Sequence, residues 1–460
     1  MTGTDLFKYN IAQRQDQMSA NAPQSPGYAS DADERGRQDV PERIHIIGMG
    51  AIGKVVAHSL RGIPKAPPIT LISHRRGLLA EWNRSKKEIT IEEDGRRQAR
   101  SGFDMDLVPP PKRFFGVATR SNEDVEFIFS NPDGLLPHEA AAELKRRREG
   151  GTDLAEGDVV PEQGPNESDE PIHNLIVTVK IHLTVSALAS LKHRILPTTT
   201  ICFLQNGMGI IDEINTDVFP DPATRPNYML GIVSHGANTP PGSSPFFAVH
   251  AGKGTIALTV LPRTERPEAD VSTPVEFSPT SRYLMRTLTR TPVLGAVGIP
   301  TVEFLQQKLE KLAQNAVINP LTVLVDARNG ALNYNFAFTK AERLLLAEIS
   351  LVLRSLPELQ GLTNVATRFS ADRLETLVVS IANKTAVNIS SMLADVRNGK
   401  PTEIRYINGY IIKRGEEMGI SCVCNYMVQQ LVIGKAKMVQ NERMDQVVTE
   451  APGDYRPTRG

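Results

Sequence analysis

Residues 43–60 read RIHIIGMGAIGKVVAHSL, and the order of residue types in this stretch decides the fold class. Arg43 to Ile47 is a short β-branched run of strand type. It passes without a spacer into Gly48-Met49-Gly50-Ala51-Ile52-Gly53 and then into Lys54 to Leu60, which has helical spacing. A lone GxGxxG says little, but between a strand and a helix it carries a mechanism. Gly48 permits the tight turn, Gly50 lets backbone approach a pyrophosphate, and Gly53 lets helix and strand pack closely. The helix N-terminus then faces the phosphate charge. Together with Met49, Ala51 and Ile52 these glycines form a candidate dinucleotide loop. A glycine-rich turn without a ligand would share the spacing.

Working outward, the next strand is Ile69 to Ser73, after the breaker run Pro64 to Pro68. An NAD site would end this strand in Asp or Glu for the ribose 2′-hydroxyl. Here it ends in His74-Arg75-Arg76. Guanidinium groups match a phosphate, so Arg75 and Arg76 favour NADP over NAD. Ile91 to Gly95 ends in a hairpin-like Asp-Gly turn. Two more buried-type strands follow, Asn174 to Lys180 and Thr200 to Leu204, the second ending in Gln205-Asn206-Gly207-Met208-Gly209. Parallel sheets bind ligands beyond the carboxyl ends of their strands, which is where Lys180 and Asn206 fall. Asn206-Gly207 would also serve as a plain turn. His235 and His250 read as structural or turn histidines.

Composition narrows the options. The chain has 460 residues, 40% hydrophobic and 23% charged, enough for two or three domains. Its 52 basic and 52 acidic side chains cancel, so charge makes no case for a nucleic-acid or membrane partner. Lys145 to Arg148 reads as a solvated helix end within a polar insertion. Three cysteines, Cys202, Cys422 and Cys424, build no disulfide framework and fit a reducing compartment. The spacing of Cys422 and Cys424 suggests no metal site. Residues 1–42 are polar and carry Asp5, Asp16, Asp31, Asp33 and Glu34, a poor transit peptide and a better flexible tail. The expected location is cytoplasmic, with mitochondrial second. Residues 131–170 lack apolar periodicity and are expected to be a largely disordered insertion. Residues 441–460 are expected to be a second flexible tail.

From about Thr301 the pattern turns to long helical periodicity. Lys311, Asn315 and Asn319 stand four apart and form one polar stripe, with Leu312, Ala316, Val317, Ile318 and Leu321 around them in core positions. A lysine with two amides beside a core suits an anionic oxo acid; an exposed stripe would have the same spacing. Residues 388–409 read NISSMLADVRNGKPTEIRYING. Asn388, Ser390, Ser391, Asp395, Thr402, Glu403 and Asn408 crowd short polar groups among Ile389, Met392, Leu393, Val396, Ile404 and Ile407. Such groups compete with helix backbone for hydrogen bonds, so a protein that orders them beside a core has something polar to hold. Two amphipathic helices, one ended by Gly399 and the next begun by Thr402, would use the same residues.

The stretch from Asn388 resembles the C-terminal signature of the ketopantoate reductases, the NADPH-dependent enzymes of pantothenate synthesis. The matching residues are Ser390-Ser391-Met392, Asp395, Thr402-Glu403-Ile404 and Asn408-Gly409. Lys311-Leu312, Asn315 and Asn319-Pro320-Leu321-Thr322 match the family's other helical motif, and Gln205 to Gly209 matches a third. Asn329-Gly330 also falls on a family position near the substrate. Leu309 stands where many members have Trp, and Cys422 to Asn425 departs from a Pro-containing segment. The resemblance covers residues from about 43 to 435 apart from the insertion.

The resemblance implies an α/β N-terminal Rossmann-type domain over 43–300 and an all-α C-terminal substrate domain over 301–440, with the site in the cleft between them. It implies NADPH-dependent reduction of ketopantoate to pantoate. Lys311 takes the place of the catalytic lysine, and Glu403 holds a substrate hydroxyl or sets the lysine's charge. Asn315, Asn319, Asn329, Asn388 and Ser391 fall to the substrate; Lys180 and Asn206 contact the cofactor. Two alternatives stay open: reduction of another branched 2-oxo acid, or a non-catalytic NADP-binding interaction protein. The oligomeric state, a dimer among the options, is not readable from the sequence.

Overall fold

The computed structural model of the protein describes residues 40–108, 113–114, 117–118 and 168–448, apart from 266, 269 and 272. The expectations for the tail 1–42, the insertion 131–170 and Lys145 to Arg148 lie outside the described residues, save 40–42 and 168–170.

The chain opens with β1 (Ile44–Ile47), α1 (Ala51–Arg61), β2 (Ile69–Ser73) and α2 (Arg76–Arg84). Then come β3 (Ile89–Glu93), β4 (Arg96–Arg100), β5 (Phe103–Leu107) and the two-residue strands β6 (Arg113–Phe114) and β7 (Val117–Ala118). After these follow β8 (Ile172–Val177), α3 (Thr184–Leu191), β9 (Ile195–Phe203), α4 (Ile210–Asp217) and β10 (Asn227–Val233). The α/β region closes with β11 (Gly236–Asn238), β12 (Phe247–Gly252), β13 (Ile256–Val260), α5 (Pro279–Thr289) and β14 (Ala296–Gly298).

Eight of these strands form one sheet in the order β14-β13-β10-β9-β8-β1-β2-β5. From β5 to β10 every pairing is parallel, which is the Rossmann order; β13 joins antiparallel to β10. Every residue of β1 and β2 is buried. That explains why these strands read as unbroken apolar runs: helices cover both faces of a parallel sheet. A second sheet, β11-β12-β3-β4, leans on α2 through Trp82, whose ring meets that of Phe246 edge-on at 4.8 Å. Its Asp94-Gly95 turn has φ of 50° and 74° at two successive residues and joins Glu93 to Arg96, as expected from the sequence.

The rest is helical: α6 (Thr301–Val325), α7 (Phe336–Ser355), α8 (Val365–Arg368), α9 (Ala371–Lys384), α10 (Ser391–Arg397), α11 (Asn408–Glu417) and α12 (Val423–Val448). The last helix runs into the stretch expected as a tail. Gln440 Nε2 donates to Gly399 O at 3.2 Å and Arg443 donates to Arg397 O, so contacts to the turn after α10 hold it. No helix among the described residues is long and apolar enough to cross a membrane.

Pro320 lies inside α6 and has no N–H for the carbonyl of Ala316. Asn408 Nδ2 supplies the missing donor at 2.9 Å, and also donates to Asn425 Oδ1 at 3.0 Å. The Asn408-Gly409 motif thus supplies the donor that the Asn319-Pro320 motif, far away in sequence, removes. The stretch 388–409 is not two plain helices. Ser390 caps α10 by accepting from Leu393 N at 3.1 Å, and Gly399 ends it with φ of 64°. A 3-10 turn, Ile404–Tyr406, follows, and α11 starts at Asn408 rather than Thr402.

Candidate active site

The glycine loop divides its three glycines by environment. Gly48 has φ of 111°, and a Cβ there would stand 2.5 Å from Val179 N. A Cβ on Gly53 would stand 2.0 Å from Gly48 O, whereas one on Gly50 would meet nothing within 4 Å. Two glycines are therefore required by packing and the third opens the loop outward, as a pyrophosphate needs. Thr178 pins the loop by donating to Gly48 O at 2.7 Å. No side chain caps the N-terminus of α1 at Gly50, so its first amides remain available for an anion. Arg75 and Arg76 are exposed just past β2, and neither makes an ion pair among the described residues. The residues present therefore fit the pyrophosphate of a dinucleotide.

Across the sheet's carboxyl edge lies the polar stripe of α6. Lys311 Nζ donates to Val233 O at the end of β10, at 2.6 Å. Lys311 and Asn315 share a small cleft with Gln205, Asn206, Gly207 and Lys308. Burial pushes the Lys311 ammonium down to about 8; Glu403 opposes that fall and Lys308 adds to it. The stripe expected from the sequence is real, and Leu312, Ala316, Val317, Ile318 and Leu321 beside it are all buried. Leu309, at the position where Trp is common, is wholly buried.

The loop Gln205 to Gly209 docks on the second signature. Met208 N donates to Tyr406 O at 3.0 Å. Gly207 has φ of 82°, and a Cβ there would stand 2.8 Å from Tyr406 Cβ, so only glycine admits this approach. Behind it sits a three-membered charge cluster. Lys180 Nζ lies 2.7 Å from Asp395 Oδ2 and 3.7 Å from Glu403 Oε2. Glu403 Oε1 also accepts from Ile181 N at 3.3 Å. Burial works against the charge on Lys180, but Glu403 and Asp395 outweigh it and raise its pKa.

The remaining polar residues lie on the far part of α6 and on the segments around 329 and 388–391 that bond to that end. Thr322 bonds Ser390 Oγ at 2.7 Å, and it stands about 16 Å beyond Lys311 along the helix axis. Ser391 is exposed in the first turn of α10, and Asn319 is buried. Asn329 donates from Nδ2 to Thr385 Oγ1 at 2.9 Å and from its backbone N to Asn388 O at 3.0 Å. The buried Oδ1 of Asn329 has no hydrogen-bond partner among the described residues. Lys311, Asn315 and Asn206 thus line one cleft, with Glu403 near enough for its charge to act on Lys311, while Asn329, Asn388 and Ser391 do not line that cleft.

Sequence reasoning assigned no role to Asp395, Lys308 or Glu268. Asp395 stands in the signature and Lys308 one turn before Lys311, so both had a local signal. His235 and His250 have partners that the sequence did not reveal. Their rings bond each other at 3.0 Å, and His250 bonds Glu93 at 2.9 Å, which joins the second sheet to the loop after β10.

The family model for ketopantoate reductase PanE/ApbA matches residues 44–263, and that for ketopantoate reductase PanE/ApbA C terminal matches residues 303–436. The chain is 28% identical over 261 residues to a probable 2-dehydropantoate 2-reductase of Schizosaccharomyces pombe, covering 56% of this chain and 72% of that protein. It is 30% identical over 273 residues to 2-dehydropantoate 2-reductase of Salmonella typhimurium, covering 58% and 75%. Ketoisovalerate reductase BEA2 of Gibberella fujikuroi is 24% identical over 418 residues, covering 84% and 81%. The fold is similar to the crystal structure of a probable 2-dehydropantoate 2-reductase from Bacillus subtilis, with TM-score 0.54, 22% identity and coverage of 85% and 99%. It is also similar to D-mandelate dehydrogenase solved with NADH and anilino(oxo)acetate, with TM-score 0.59, 16% identity and coverage of 86% and 99%.

Proposed function

We propose, for a chain that belongs to the ketopantoate reductase family, that it reduces the 2-oxo group of ketopantoate to the 2-hydroxyl of pantoate with NADPH. The observation that carries this reading is Lys311: an ammonium in the interdomain cleft, held on Val233 O beside Asn206 and Asn315. The domain division is 43–300 for the cofactor and 301–440 for the substrate.

NADPH, when bound, supplies the hydride that adds to the carbonyl carbon. The loop from Gly48 to Gly53 would hold its pyrophosphate, and Arg75 and Arg76 its 2′-phosphate. Lys180 and Asn206 would border its nicotinamide end. Lys311 donates a proton to the carbonyl oxygen as negative charge grows there. Glu403 favours the charged form of Lys311 and orients a substrate hydroxyl. Asn315, Asn319, Asn329, Asn388 and Ser391 hold the carboxylate and hydroxyl. A general acid must start protonated, so kcat/KM for reduction should fall as pH rises through about 8. A flat profile from pH about 6 to 10 would remove Lys311 as the titrating donor.

The fold alone does not choose between the two nicotinamide cofactors, since D-mandelate dehydrogenase shares it and holds NADH. The choice is local. NADPH should bind at least about tenfold tighter than NADH, a gap of about 1.4 kcal/mol. Replacing Arg75 and Arg76 by Ala should close most of it, and equal affinities in the intact protein would refute the assignment.

A second reading is reduction of ketoisovalerate. It is favoured by the length of the match to the Gibberella fujikuroi enzyme, which spans far more of this chain than the pantoate enzymes do. The two acids differ by a hydroxymethyl group. A site built to bond that hydroxyl rejects the analogue lacking it by about 10⁴-fold, whereas an apolar wall separates the pair by about 10²-fold or less. Comparing kcat/KM for both acids with NADPH decides between them. A protein that binds NADPH and reduces neither acid would be the non-catalytic binding module.

A further inference from the structure

The loop after β13 brings a carboxylate to the cleft that no motif accounts for. Glu268 Oε1 lies 3.3 Å from Lys308 Nζ, and Glu268 Oε2 accepts from Gly209 N at 3.1 Å. The two side chains are only 9% and 10% exposed. Gly209 closes the loop that carries Asn206, and Lys308 lines the same cleft as Lys311 and Asn315. Lys308 precedes Lys311 by three residues on α6, so the two share a helix face. A second ammonium there, left unpaired, would be costly to bury and would disfavour charge on its neighbour. Lys308 is already one of the causes that lower Lys311.

We propose that Glu268 is a positioning residue for the reduction: it cancels the charge of Lys308 and braces the Asn206 loop at Gly209, so that Lys311 keeps the proton it donates. The inference rests on the reading of Lys311 as that donor. The other groups around Lys311 are otherwise engaged. Glu403 faces it from the turn before α11 but also lies near Lys180, which Asp395 holds. His182 stands behind that cluster within reach of the charges of Glu403 and Lys180. Tyr410 on α11 reaches Gly209 with its ring and accepts from Arg414 at 3.1 Å. Among the described residues no other carboxylate forms an ion pair with Lys308.

The test is Glu268→Gln, which keeps shape and a carbonyl for Gly209 but removes the charge. The alkaline limb of kcat/KM should move to lower pH by about half a unit or more. Adding Lys308→Met to this variant should return the limb towards its original position, a rescue that simple loop damage would not show. A direct readout needs no turnover: carbon-13 NMR titration of Lys311 in lysine-labelled protein, assigned with Lys311→Met. Lys311 should lose its proton at lower pH in Glu268→Gln and recover in the double variant. Unmoved titration in both variants overturns the inference, as does a shift that Lys308→Met fails to reverse. Should the wild-type protein reduce no 2-oxo acid, the enzymatic reading fails while the titration still decides whether Glu268 governs Lys311.

Discussion

Replacing Lys311 by Ala should lower turnover about 10²-fold or more, equivalent to about 2.7 kcal/mol of transition-state stabilisation. The size follows from its task. In the proposed reaction oxygen gains negative charge as hydride arrives, and Lys311 would be the cation that gives it a proton. NADPH affinity should change little, because the glycine loop and the two arginines lie on other elements, around α1 and β2. Stopped-flow NADPH oxidation measures the first quantity and fluorescence titration the second. Near-normal turnover of Lys311→Ala on its best 2-oxo acid would remove this residue from the mechanism. Tenfold weaker NADPH binding would instead place Lys311 in the cofactor site. Glu403→Ala should raise KM and also lower turnover if, as proposed, the group acts on both substrate and lysine.

Gly53→Ala should weaken both the fold and the cofactor site. The added methyl would stand 2.0 Å from Gly48 O and 2.6 Å from Thr178 Oγ1, so backbone must move. Overpacking of this kind costs about 1–3 kcal/mol. The displaced atoms belong to the candidate phosphate loop, so NADPH affinity should fall by about tenfold or more. Gly50→Ala makes the informative comparison. Its methyl meets no protein atom within 4 Å, so the melting temperature should hold. It points into the space a pyrophosphate would fill, so affinity should still drop. A Gly50→Ala protein that binds NADPH normally would show that the dinucleotide does not lie on this loop. Thermal denaturation and NADPH titration of both variants separate the two effects.

What the sequence determined by itself was local and periodic. The passage from β1 through the glycine loop to α1 is contiguous, so residue order alone exposed it. The position of Arg75 and Arg76 just past β2 was legible for the same reason, since following a strand is a matter of residue order. The stripe of Lys311, Asn315 and Asn319 was legible because helical period sets a face without knowledge of what packs against it. The Asp94-Gly95 turn was legible because its backbone conformation belongs to those two residues.

The tertiary structure decided everything that depends on where distant segments meet. Asn408 completes the Ala316 carbonyl only because the start of α11 comes to α6 where Pro320 leaves that carbonyl without a donor. Lys180 finds Asp395 and Glu403 only because the end of β8 faces the second signature. Glu268 reaches Lys308 by the path of a loop with no periodicity and no motif. The physical reason is common to all three. Charge pairing and the completion of buried hydrogen bonds act over a few ångströms of space, and the order of residues along a chain fixes no such distance until the core has packed.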